Sequence, residues 1–147
     1  MNKPLKILLA VTAFISTPSL ASSYEDEAYA RGVCASVRSI AKEVAHFKAQ
    51  KVSDKGISLF VKDSLAPPRK FTEEEMALVK AGKGVPMDVE KRLDKETLQQ
   101  VDKIVAYMGK PDVQKVTPRI AVEMAYGNCM DKGELFPKQN KWGFLSR

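Results

Sequence analysis

Histidine occurs once in this sequence, tryptophan once and cysteine twice, and each scarcity removes a chemistry. A Ser-His-Asp triad would have to use His46, and no Gly-x-Ser-x-Gly elbow supplies its nucleophile. An ordinary surface or boundary position is the expectation for that residue. With one histidine and two cysteines, a zinc site is short of ligands. No apolar run approaches the roughly 20 residues that cross a bilayer comfortably, and no convincing apolar–polar alternation marks a strand. Positive charge is plentiful but not concentrated. The formal net charge of +6 is spread along the whole chain, whereas a nucleic-acid binder gathers its cations into a patch or stripe. Neither nucleic acid nor any metal or cofactor is expected as a ligand.

The N-terminus reads as a leader. Lys3 and Lys6 precede an apolar run over residues 7–15 that only Thr12 interrupts. Pro18 ends it, and Ser19 and Ala21 place small residues where a signal peptidase reads. This pattern predicts a secretory signal peptide over residues 1–21, with the mature chain starting at Ser22. No cysteine follows the cleavage site to carry a lipid, so no stable membrane anchor is expected after cleavage. Residues 22–147 are enough for one domain with a modest core. Two cysteines in an exported chain most simply make one disulfide, Cys34–Cys129.

Helical spacing dominates what remains. Val33, Val37, Ile40, Val44 and Phe47 alternate four and three residues apart, lining one face of a helix over about residues 25–51 with Cys34 beside the stripe. Glu25, Asp26 and Glu27 suit the positive end of its dipole. Gly32 is expected to let a neighbouring helix approach near Cys34. A second helix over 57–65 turns Ile57, Phe60, Val61 and Leu65 inward until Pro67 and Pro68 stop it. Residues 67–86 are the least regular stretch. They contain one short helix over 73–80, announced by the capping-box pair Thr72 and Glu75. The run Glu73, Glu74 and Glu75 is read as a solvated first turn rather than a metal or acid–base site. Ala81-Gly82-Lys83-Gly84 lacks the spacing and the preceding strand of a phosphate loop.

After a turn of helix expected at 88–93, Asp94 caps a helix over 95–108 with Leu98, Val101, Ile104, Val105 and Met108 on one face. Gly109 and Pro111 end it. Thr117-Pro118 opens the last helix, which carries Ile120, Ala121, Met124, Ala125 and Cys129 inward and ends near Lys132-Gly133. The expected fold is all-α: a single-domain bundle of about four main helices, the first and last joined by the disulfide. Beyond it, residues 134–147 form an aromatic and basic tail. Phe136, Trp142, Phe144 and Leu145 either close the core as a lid or present a contact surface to a partner. The lid is favoured, because a small domain needs all its apolar area.

A leader, a cysteine in the first amphipathic helix and another late in the last helix resemble small helical periplasmic proteins of Gram-negative bacteria. Val101-Asp102-Lys103-Ile104-Val105-Ala106-Tyr107-Met108, then Pro111, then residues 120–129, are similar to the C-terminal half of one such group. That group includes immunity proteins that neutralise type VI secretion effectors; they typically carry a second disulfide, for which this chain has no cysteines. Val116-Thr117-Pro118-Arg119-Ile120 followed by a cysteine resembles periplasmic acid-stress chaperones, where the cysteine comes sooner. The resemblance carries over no functional residue. With no catalytic constellation, a stapled helical scaffold and an aromatic tail, the leading expectation is a periplasmic, non-enzymatic binding or inhibitor-type protein, such as an immunity protein, with another periplasmic protein as partner. The alternatives are a stress chaperone and a hydrolase with an unrecognised carboxylate pair.

Overall fold

The apolar stripe of the first helix decides how the chain packs. In the computed structural model, which describes residues 20–84 and 88–138, that helix is α1, Leu20–Ala49. Val37, Ala41 and Val44 on it are completely buried, as is Cys34. Each of the two valines contributes about 1.5–3 kcal/mol by leaving water. The chain continues through α2 (Asp54–Leu65), α3 (Glu73–Lys80), α4 (Val89–Arg92), α5 (Lys95–Met108), α6 (Pro111–Gln114) and α7 (Pro118–Met130), with no strand among the described residues. α1 and α5 are the central pair, and each of them packs against both α2 and α7. The four long helices therefore make the core, and the short ones connect them.

Local chemistry sets most of the helix ends. Asp94 accepts the Thr97 N–H at 2.8 Å and starts α5 where its sequence placed it. Thr117 accepts the Ile120 N–H, and Pro118 occupies the first turn of α7, where a missing N–H costs nothing. At the other end of α7, Lys132 turns left-handed at φ 54°. Lys132 N–H then donates to Cys129 O, and Gly133 N–H to Asn128 O. This paired closure satisfies two of the last carbonyls of the helix. Gly133 is required here for space: a Cβ on it would come within 2.7 Å of the Asn128 side chain. Lys51 (φ 60°) closes α1 in the same way, with Val52 N–H donating to Phe47 O.

The disulfide joins α1 to α7, with Cys34 and Cys129 fully buried, their Cα atoms 5.6 Å apart and 95 residues of chain between them. Other expectations need correction. α1 begins at Leu20, so Glu25, Asp26 and Glu27 lie beyond its first turn. A Cβ at Gly32 would meet nothing within 4 Å, and the glycine makes no room for a neighbouring helix. Phe60 is 55% exposed. The buried edge of α2 is Ile57 and Val61, and Phe60, turned away from it, stacks on Phe47 at 5.4 Å. Ile120 is likewise exposed, because α7 faces the core with Ala121, Val122, Ala125 and Cys129. One residue earlier on a helix is a hundred degrees away from that face.

α3 is unlike the others: it buries no residue. Its start is held by the capping box, in which Thr72 and Glu75 each accept the other's backbone N–H, and Glu75 also receives Arg69 at 3.0 Å. The Thr72 N–H, followed by Arg69, holds the Glu75 carboxyl below the usual carboxylate range. A depressed folded-state pKa contributes stability that is present above the ordinary carboxylate range and lost as pH falls through the folded value. Acidification from neutral pH is therefore expected to lower the amide-exchange protection factors of α3, relative to the intrinsic rate at each pH, before those of the four core helices. Protection of α3 unchanged down to pH 3 would contradict it, and Glu75→Gln should remove the pH dependence.

Candidate functional site

Arg38, Lys42 and His46 stand four residues apart on α1, so they project from one face at intervals of about 6 Å. α7 lies alongside that face, stapled by the disulfide. Its first turns bring Arg119, Val122 and Glu123 opposite the α1 row. The groove between the two helices has a volume of about 520 Å³, and its lining includes Arg38, Lys42, His46 and Arg119 above Ala45, Ala49 and Val122.

The charges in this groove are not equivalent. Arg38 reaches across to α7, where its Nε donates to Glu123 Oε1 at 3.0 Å and its guanidinium lies 5.3 Å over the Tyr126 ring. Among the described residues Glu123 is the only carboxylate in the lining, and Arg38 occupies it. Among the described residues no ion pair forms with Lys42 or Arg119. His46 is exposed, with the Gln50 side-chain nitrogen 2.8 Å from its Nε2. The groove thus carries more positive than negative charge over an apolar floor.

A second cavity of about 280 Å³ shares Ala45, Ala49 and Pro118 with the first and continues it towards α5 and α6. Met108, Val113, Val116 and Ala121 line this continuation, together with Lys48, which pairs with Asp54, and Gln114. A further cleft of about 410 Å³ lies under α3, between Asp63, Phe71, Val79 and Arg92. There Arg92 donates to Pro67 O and Asp63 Oδ1, which ties the α3 excursion to α2 and α4. Phe71, Met76, Leu78 and Val79 around it are all substantially exposed.

Of the tail residues, Phe136 is half-buried and packs against the core, and Trp142, Phe144 and Leu145 lie outside the described residues. Leu135, next to Phe136, is completely buried. Its backbone is clamped by two side chains: Gln100 donates to its carbonyl at 2.6 Å, and its N–H donates to Asn128 Oδ1 at 2.9 Å. Lys110 pairs with Glu134 beside them, and that hydrogen bond raises the Lys110 pKa.

Glu73 and Glu74 stand exposed on the first turn of α3, and among the described residues no cluster of three or more His, Cys, Asp or Glu is placed to hold a metal ion. Among the same residues no helix is long and apolar enough to cross a membrane. Comparison with known proteins finds no matching family model, curated protein or solved structure. The row was missed in the sequence, although its signal was there: Arg38, Lys42 and His46 recur every four residues on the side of α1 away from its apolar stripe. What the sequence lacks is the information that Arg119 and Val122 lie opposite them.

Proposed function

We propose that this is an exported, periplasmic, non-enzymatic binding protein of the inhibitor or immunity type, acting through the groove between α1 and α7. The observation that carries this reading is the groove itself: cations at Lys42 and Arg119 with no ion-pair partner among the described residues, above an apolar floor, on two helices fixed to one another by a disulfide. A surface held rigid before contact loses less freedom on association. The leader and the single buried disulfide fit an oxidising compartment.

Photo-crosslinking tests it. Benzoylphenylalanine in place of Lys42 or Arg119, in cells that export the protein, is expected to trap a discrete adduct of one mass. The same group in place of Lys103, exposed on α5, is expected to trap none. Absence of any adduct from the groove positions would refute the reading.

A second reading has an observation of its own. Phe71, Met76, Leu78 and Val79 expose apolar surface on one short excursion, as a stress chaperone would. It predicts a broad smear of adducts from position 76 or 78, and suppression of client aggregation at acid pH.

A further inference from the structure

We infer that the occupant of the α1–α7 groove is an acidic amphipathic helix of the partner protein, with carboxylates one turn apart beside one or two bulky apolar residues. This rests on the binding reading above and names the partner's chemistry. Three features of the groove specify it. The first is pitch: Arg38, Lys42 and His46 repeat every four residues, and a helix laid alongside presents Glu or Asp at i and i+4 with the same spacing of about 6 Å. The second is charge. Lys42 and Arg119 face the groove with no ion-pair partner among the described residues, and Glu123 is held by Arg38. A carboxylate placed at Lys42 or Arg119 therefore meets a cation that has no internal pair to break.

The third feature is the apolar continuation. Beyond Ala45, Ala49 and Pro118 the groove opens into the smaller cavity lined by Met108, Val113 and Val116. Ala45 and Ala49 are small enough to let a second helix backbone approach α1, and the cavity beyond accepts a leucine-sized side chain. A phosphate or a nucleic-acid backbone would use the cations and leave this floor unused. A purely apolar helix would leave Lys42 and Arg119 covered and unpaired, which is costly. An acidic amphipathic helix satisfies both halves, as helix-in-groove recognition does elsewhere.

The test uses the full chain and a fluorescein-labelled helical peptide with glutamates at i, i+4 and i+8 and two leucines on the adjoining face. A scrambled peptide of identical composition is the control. Fluorescence anisotropy is expected to show saturable binding of the first peptide, at least about tenfold tighter than the scramble and weakened by added salt. Lys42→Glu with Arg119→Glu is expected to weaken it by about tenfold or more. Ala49→Trp, which fills the junction without altering charge, is expected to abolish the preference over the scramble. Unchanged thermal melts would establish that these surface variants are folded. Equal binding of the two peptides, insensitivity to the charge reversals, or equal competition by polyphosphate or anionic vesicles would overturn the inference. Loss of the peptide result with crosslinks from positions 42 and 119 intact would discard the acidic helix and leave the binding reading standing. Loss of the crosslinks would discard the binding reading itself.

Discussion

Cys34→Ala combined with Cys129→Ala is expected to lower the thermal midpoint by about 10–20 °C while leaving a folded, helical protein at room temperature. The bond closes a loop of 95 residues. On the chain-entropy account, a loop of that length restricts the unfolded chain by about 4–5 kcal/mol, and native disulfides in small domains are worth about 2–5 kcal/mol when removed. For a domain of this size, each kcal/mol moves the midpoint by roughly 3–6 °C. Helicity survives because α1 and α5 bury continuous apolar faces against each other and against α2, none of which depends on sulfur. Since both cysteines are wholly buried, dithiothreitol is expected to reduce the bond only as fast as the protein opens. Circular dichroism melts of oxidised wild type, reduced wild type and the double variant measure the effect. A midpoint within about 3 °C of wild type in the double variant would mean that packing between α1 and α7 already fixes them.

The features that were legible in the sequence are those written within a few neighbouring residues. The start of α5 at Asp94, the Thr72–Glu75 capping box of α3 and the Thr117-Pro118 opening of α7 each depend on side chains three or fewer positions from the backbone they cap. The core stripe of α1 was legible for the same reason, since its period is local. The Cys34–Cys129 pairing was readable because the sequence has no other cysteine to compete. The errors fall where a residue's fate is decided by a distant element. Phe60 and Ile120 have helix-periodic positions, yet lie off the faces that their neighbours cover. The groove depends on Arg38 meeting Glu123 across 85 residues of chain, a juxtaposition no local pattern encodes. Gln100 and Asn128 were passed over because polar residues inside a helix read as solvent-facing. Their side chains instead hold the backbone of Leu135 and pin the segment after α7 to the core.

That clamp gives the second large effect. Leu135→Ala is expected to destabilise the fold by about 2–5 kcal/mol, because a fully buried leucine leaves both lost transfer energy and a cavity. Ending the chain after Gly133 should cost more. It removes the same side chain together with the carbonyl that Gln100 donates to, and Gln100 is only 3% exposed. A buried amide left without an acceptor adds about 1–3 kcal/mol. Glu134, Phe136 and their contacts with Lys110 and Lys132 go as well. Against a total stability of about 5–15 kcal/mol, the truncated chain is expected to be marginally folded at 37 °C. Urea unfolding of wild type, Leu135→Ala, Gln100→Ala and the truncation would rank the costs, with the truncation largest. The expectation that Trp142, Phe144 and Leu145 close the core is read from the same series. As a lid they make a chain ended after Lys138, added to the series, clearly less stable than wild type, and Trp142 fluoresces blue-shifted and resists quenching in the intact protein. A contact surface leaves that chain as stable as wild type and Trp142 red-shifted and quenchable. Were Leu135→Ala and the truncation both to leave the midpoint unchanged, the segment after α7 would be dispensable to the fold and the clamp without energetic consequence.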